Sequence, residues 1–129
     1  MYEIALPANA ALEVRRPCVV LDLGTADPRA VSFALTLLAE ALVEGLALRD
    51  TKGAWGARIL ASGEARGVYL RHYHQDRLEI SLGRTELRLW QLFFLLYARD
   101  GAPDVDHLDL DATWGQGSPV QVVLRVSRA

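Results

Sequence analysis

Three histidines and their neighbouring aspartates are the residues of this sequence best suited to chemistry. His72 and His74 are separated by one residue, so on a β-strand their side chains would lie on the same face. Two imidazoles placed in this way can bind one metal ion, and His107, Asp109 or Asp111 could supply a third ligand. A small metal- or ligand-dependent enzyme that uses this cluster is therefore one hypothesis.

The spacing of the first two histidines resembles a known metal motif. His72, His74 and Asp76 have the His-x-His-x-Asp spacing of the metallo-β-lactamase superfamily. That motif continues into a further histidine, whereas this chain has Arg77 next, and the chain is shorter than that fold requires. His72 also continues an apolar alternation that starts at Val68, which is typical of a hydrogen-bonded histidine at the edge of a core. We therefore predict no metal site and no cofactor, and keep the metal enzyme as the alternative.

The nucleophilic residues do not lie in catalytic motifs. The sequence contains no Gly-x-Ser-x-Gly elbow, Walker loop, dinucleotide fingerprint or Cys-x-x-Cys pair. The single cysteine, Cys18, lies between Pro17 and an apolar run, which indicates a small buried hydrophobe rather than a catalytic thiol. The sequence therefore favours a protein without enzymatic activity.

A second group of residues is typical of binding surfaces. Tyr69, Arg71 and Tyr73 alternate with apolar residues, so they should share one strand face. Tyrosine and arginine are enriched both at protein interfaces and on platforms for single-stranded nucleic acid. Trp55 and Trp114 lie beside glycines in predicted loops, as packed lids or contact anchors. We predict that these five residues bind a specific partner protein. Single-stranded nucleic acid is a further alternative, disfavoured by the net charge of −2.

Charge is distributed unevenly along the chain. The middle is rich in arginine and includes Arg58 and Arg77, whereas the stretch that precedes residue 112 is rich in aspartate. Strand alternation would direct His107, Asp109 and Asp111 outward. Such an acidic edge either contacts a basic partner or discourages the aggregation of an edge strand. We include Asp109 and Asp111 among the predicted partner-binding residues.

The second of two predicted helices is unusually apolar. It starts near Thr85, ends near Arg99, and is hydrophobic almost all round between residues 87 and 97. A helix on one side of a sheet normally shows a single apolar stripe. We therefore predict that this helix forms the interface of a homodimer, with burial under another part of the chain as the alternative. The predicted interface residues are Trp90, Phe93, Phe94 and Tyr97.

The remaining elements complete one domain over residues 1–129. Asp27 and Pro28 begin a first helix, whose apolar spacing continues through Leu42 and Leu46 and predicts an end near Arg49. The predicted order is two strands, helix, three strands, helix, two strands. Because local hairpins favour antiparallel pairing, we expect an α+β fold: a two-layer antiparallel sheet with two main helices. Similar residues before each helix suggest a duplicated strand-helix-strand-strand unit.

Length and composition limit the functional classes. The 129 residues fit one domain, and 51% apolar residues exclude a disordered chain. No signal-like or membrane-spanning segment is present, and the bias towards arginine, alanine and leucine suggests a bacterial source, so we expect a cytoplasmic bacterial protein. We expect an immunity or antitoxin protein, or a secretion chaperone, that binds a toxin or a secreted effector. From the first helix onward the element order resembles that of type III secretion chaperones, which are small acidic dimers.

Overall fold

The strands of the chain form one continuous sheet. The computed structural model describes residues 1–74, 76–102 and 105–127, and in these ranges it has nine strands and two helices. The strands are β1 (Tyr2–Ala5), β2 (Ala11–Arg15), β3 (Cys18–Asp22), β4 (Leu46–Arg49), β5 (Gly56–Ala61), β6 (Val68–His74), β7 (Arg77–Leu82), β8 (His107–Trp114) and β9 (Pro119–Arg125). The helices are α1 (Pro28–Ala39) and α2 (Arg84–Asp100).

The sheet is mixed, so the prediction of a two-layer antiparallel sheet is wrong. Its strand order is β1-β4-β5-β7-β6-β8-β9-β3-β2. The hairpins β2–β3, β4–β5, β6–β7 and β8–β9 are antiparallel, as local pairing predicts. Their neighbours are joined by the parallel pairs β1–β4, β5–β7, β6–β8 and β3–β9. These parallel pairs connect strands that are distant in sequence. Local sequence patterns do not show such pairings.

The element order repeats, and the two halves interlock. A strand pair, a helix and a second strand pair occur as β2-β3-α1-β4-β5 and again as β6-β7-α2-β8-β9. The repeat therefore has two strands before each helix, where the sequence pattern suggested one. Strand β3 of the first half pairs with β9 of the second, and β7 of the second half pairs with β5 of the first. Neither half completes its part of the sheet alone.

Helix α1 is shorter than the sequence predicts. Asp27 caps it as expected, since its carboxylate accepts a hydrogen bond from the Arg29 amide at 3.0 Å. The helix ends at Ala39, and Ala41 has a left-handed φ of 56°. Leu46, which fits the helical spacing, instead lies buried in β4. The helical spacing of the leucines thus continued by coincidence into a strand, where the chain alternates between buried and exposed positions.

The core lies between the helices and one face of the sheet. Helices α1 and α2 pack on each other and on β4, β5 and β7. Cross-strand register puts the buried strand residues on the same side: Leu46, Ile59, Ile80 and Leu70 form one row, and Leu21 and Leu124 another. The opposite side carries Arg58, Glu79 and Arg71 in register, and no helix of the described chain packs on it. We call this side the open face.

Helix α2 owes its apolar composition to the core. Trp90 and Phe94 are each 1% exposed, and Phe93 and Tyr97 are buried beside them. The four residues predicted to form a subunit interface therefore lie inside the chain, which corresponds to the alternative that the sequence left open. Gly101 ends the helix with a left-handed φ of 74°. Among the described residues, neither helix has the length and hydropathy needed to cross a bilayer.

Candidate functional site

A groove of about 680 Å³ lies where the open face meets the loop between β4 and β5. Four basic, two aromatic and two acidic residues are among those that line it, and we call it the basic groove. Its basic residues are Arg49, Lys52, Arg58 and Arg77, its aromatic residues are Trp55 and Tyr73, and its acidic residues are Glu3 and Asp50. The groove therefore combines cations and aromatic rings, a composition suited to recognition of anionic groups.

Arg58 is held in the groove by an aromatic ring. Its guanidinium carbon lies 3.9 Å from the centroid of the Tyr73 ring, within the range of a cation–π interaction. Arg58 is half-buried on β5. Among the described residues, no carboxylate lies within ion-pair distance of its guanidinium group. The stack therefore orients a cation that no carboxylate of the described residues neutralises.

The neighbouring carboxylate is already engaged. Glu79 stands in register between Arg58 and Arg71 and is 5% exposed. Its Oε1 accepts a hydrogen bond from Arg71 Nε at 2.5 Å. This hydrogen bond, together with the charge of Glu79, raises the pKa of Arg71. Arg71, a predicted partner-binding residue, is thus neutralised by Glu79, whereas no described carboxylate forms an ion pair with Arg58 on the other side of Glu79.

The other cations of the groove differ in their contacts. Arg77 donates to the carbonyl of Gly53 at 3.2 Å and to that of Asp76 at 3.3 Å, so it ties the β4–β5 loop to β7. Arg49 forms an exposed ion pair with Glu3 at 3.4 Å. The described residues give Lys52, on the loop, no ion-pair partner. Three of the four cations therefore have no carboxylate partner in the described chain.

A β-bulge in β6 separates the two histidines of that strand. The pairing of β6 with β7 shifts between His72 and His74, so His72 lies opposite Leu78 and His74 opposite Arg77. Since Leu78 and Arg77 are consecutive in β7, the two histidines lie on opposite faces of the sheet. The prediction that they share a face is therefore wrong. Tyr73, between them, lies on the open face next to Arg58.

His72 belongs to an aromatic cluster on the core side of the sheet. Its ring stacks on Trp114 with centroids 5.2 Å apart and 14° between the planes. The guanidinium carbon of Arg16 lies 4.5 Å from the Trp114 ring centroid. The sequence predicts that Trp114 lies in a loop, as a packed lid or a contact anchor, but it is the last residue of β8 and is 3% exposed. The cluster is therefore part of the folded scaffold rather than a contact anchor.

The two edges of the sheet approach each other near this cluster. A pocket of about 240 Å³ is lined by Leu12 and Val14 of β2 and by Trp55, His72 and Arg77. β2 is one edge strand of the sheet. Trp55 directly precedes β5, which is the third strand from the opposite edge. The sheet must therefore curl around its core side, which leaves the open face convex. Half-buried Trp55 lines both this pocket and the basic groove.

The structure does not bring together the histidines and aspartates of the metal-site alternative. His107 begins β8 and interacts with Asp106 at 2.7 Å, whereas His72 stacks on Trp114 at the far end of that strand, about 20 Å away. Asp109 and Asp111 are exposed on the open face of β8. The described residues contain no group of three or more metal-ligating side chains of suitable geometry.

Tyr69 shares the open face with Arg71 but is engaged locally. Its hydroxyl donates a hydrogen bond to Glu64 Oε2 at 3.0 Å. That bond and the negative charge of Glu64 raise the phenol pKa above its usual 10.0. Of the predicted tyrosine and arginine residues, Tyr73 alone lines the basic groove.

Helix α2 presents a different apolar surface from the one predicted. Leu89, Leu92 and Leu95 are between 46% and 51% exposed on the side away from the sheet. With Thr85 and Arg88 they line a shallow depression of about 490 Å³. An interface on this helix would therefore use leucines rather than the aromatic residues.

Sequence reasoning missed the centre of the candidate site. Arg58 and Arg77 were noted only as part of an arginine-rich stretch, and Arg49 and Lys52 were assigned to a helix end and its following turn. The available signal was the position of Arg58 between apolar residues of a strand, on the side opposite Ile59. Its stack on Tyr73 depends on the parallel register of β5 and β7, which the sequence does not reveal.

Comparisons with known proteins do not assign the chain to a family. A scan against protein-family models found no family that matches the chain. A search of curated proteins likewise found no match.

Proposed function

We propose that this chain is a non-enzymatic domain that binds a specific partner protein through the open face of its sheet. One observation carries the proposal: Arg58, stacked on Tyr73, faces a groove on the uncovered side of the sheet, and no carboxylate of the described residues pairs with it. An arginine that is already oriented but has no anionic partner is prepared to bind an anion, because its side chain loses little conformational entropy when the anion binds.

The distribution of charge on the open face supports a protein partner. The basic groove lies at the β4–β5 side, whereas exposed Asp109 and Asp111 lie on β8. A face with both signs of charge favours a partner with the complementary pattern and disfavours others. Within this class we propose an immunity or antitoxin protein that blocks a toxin, or a secretion chaperone that holds an effector. Both tasks need a rigid, preformed surface, and a strand face provides one.

The site of action and the oligomeric state are further parts of the proposal. Cys18 is a free thiol, which suits the reducing cytoplasm of a bacterium. We also propose a homodimer through α2, now carried by the exposed leucines 89, 92 and 95. Exposed apolar surface of this kind is often covered in an assembly.

Affinity capture from the natural host tests the proposed function. Tagged wild-type chain should recover one protein in near-stoichiometric amount, and so should a control variant, Arg29→Glu, altered at an exposed arginine of α1. The double variant Arg58→Glu/Tyr73→Ala should lose that protein while it keeps its fold by circular dichroism. Equal recovery by the double variant, or no stoichiometric protein with the wild type, would contradict the proposal.

A further inference from the structure

The basic groove has a surplus of positive charge that the described chain does not neutralise. Glu3 is the acidic residue that pairs with a cation of the groove, Arg49. Asp50 accepts a hydrogen bond from the Ala54 amide at 3.1 Å, which engages its Oδ2 in the loop. Arg58 and Lys52 have no carboxylate partner among the described residues. The groove therefore carries positive charges that an anionic ligand could neutralise.

The two central arginines are arranged for carboxylates. The guanidinium group of Arg58 lies over the Tyr73 ring, and no carboxylate of the described residues pairs with it, so its N–H groups are available for a bidentate hydrogen bond. Arg77 uses part of its donor capacity on the carbonyls of Gly53 and Asp76, which hold it in place. An arginine with an oriented plane loses less conformational entropy on binding a carboxylate than a freely rotating one.

The rest of the open face limits how long an anionic ligand can be. Exposed Asp109 and Asp111 lie on β8, three strands from β5, and the β6–β8 register also displaces them along the strands from Arg58, so they are more than about 15 Å from it. Arg71 and Tyr69, which would continue a path for a polyanion, are engaged with Glu79 and Glu64. A continuous phosphate backbone would therefore leave the basic groove and meet carboxylates. A short acidic segment fits the groove alone.

From these observations we infer that the basic groove binds an acidic peptide segment of the partner protein, with aspartate or glutamate side chains on Arg58, Arg77 and Lys52. The aromatic walls, Trp55 and Tyr73, would contact the apolar parts of the same segment. This inference rests on the proposed function, since it names the chemistry by which the partner is recognised.

Binding of short labelled probes to the full chain tests the inference. The probes are a peptide of alternating glutamate and serine, the same peptide with glutamine for glutamate, and a thymidine oligonucleotide of similar length. Fluorescence anisotropy should show binding of the glutamate peptide that weakens with salt, and clearly weaker binding of the glutamine peptide. Replacement of one contacting cation should weaken binding of the glutamate peptide about fivefold to tenfold.

Two variants and one control keep the result interpretable. Arg58→Gln removes the stacked cation, and Lys52→Gln removes a cation on an exposed loop, where the fold does not depend on the side chain. Arg29→Gln, on α1, should leave binding unchanged. Equal binding of the glutamate and glutamine peptides would overturn the inference. So would unchanged affinity in both groove variants, or tighter binding of the thymidine strand that the same variants remove.

The outcome also separates this inference from the proposed function. If the glutamate peptide does not bind but the natural partner is still lost from Arg58→Glu/Tyr73→Ala, the partner uses the groove through other chemistry and the inference is overturned alone. If the natural partner is also retained by that double variant, both fail.

Discussion

Two leucines of α2 that are two residues apart provide a direct test of how this helix is placed. Leu87 is 5% exposed and Leu89 is 46% exposed. The changes Leu87→Ala and Leu89→Ala remove the same atoms from the same helix, and both have the same effect on helix propensity. Any difference in the free energy of unfolding therefore reports the burial of the two side chains.

The expected difference is large. Removal of a fully buried leucine side chain costs about 2–5 kcal/mol, the sum of lost transfer free energy and the cavity left behind. Leu87 lies in the first turn, where the chain can relax, so we expect about 3 kcal/mol. Leu89 leaves no enclosed cavity and has half of its surface in water already, so we expect less than about 1 kcal/mol.

Urea unfolding at low and high protein concentration measures both values. With an m-value of about 1.5 kcal/mol/M, Leu87→Ala should lower the midpoint by about 2 M at every concentration. Leu89→Ala should lower it by less than about 0.7 M at low concentration. If α2 pairs with a second copy, the wild-type midpoint should rise with concentration and Leu89→Ala should abolish the rise. Equal losses for both variants at low concentration would refute the placement of the helix.

Two further predictions concern local contacts. The pKa of Tyr69, followed by the absorbance difference between wild type and Tyr69→Phe, should exceed 10.0 and fall in Glu64→Gln. Because the folded-state pKa is the higher one, this contact stabilises the fold below pH 10 and the contribution is lost as the pH rises through the folded-state value. An unchanged pKa in Glu64→Gln would exclude the hydrogen bond. Gly83→Ala should destabilise the chain by about 2 kcal/mol, since the new Cβ would lie 2.5 Å from the Arg66 backbone. Gly115→Ala, with its nearest contact at 3.9 Å, should cost far less, and equal thermal midpoints for the two would contradict this packing.

Much of the local structure could be predicted from the sequence because its signals are local. The Asp27 cap, the Gly101 stop and the alternation of Tyr69 with Leu70 each depend on residues within a few positions of one another. The end of α1 could not be predicted in this way. Leu42 and Leu46 fit a helix as well as they fit a turn and a strand, and the burial of Leu46 against Ile59 decides between the two.

The sheet topology and the site depend on contacts that are distant in sequence. The hairpins β6–β7 and β8–β9 could be predicted from alternation on either side of a short turn. The hairpins β2–β3 and β4–β5 and the parallel pairs could not, and neither could the basic groove that depends on them. Arg58 contacts Tyr73 because β5 and β7 are parallel neighbours and because Tyr73 lies on the same open face of β6 as Arg71. The bulge in β6 separates His72 from His74, so the alternative of a metal ion held by both histidines loses the shared strand face on which it depended.

Site-specific photocrosslinking in the natural host tests the central claim, that the open face binds a partner protein, most directly. A photoreactive phenylalanine derivative in place of Tyr73 keeps an aromatic ring beside Arg58, and the same residue in place of Leu92 serves as the control on α2. We predict that position 73 forms one discrete adduct with a partner protein and that position 92 forms none with that partner. An adduct of the partner from position 92 but not from position 73 would contradict the account.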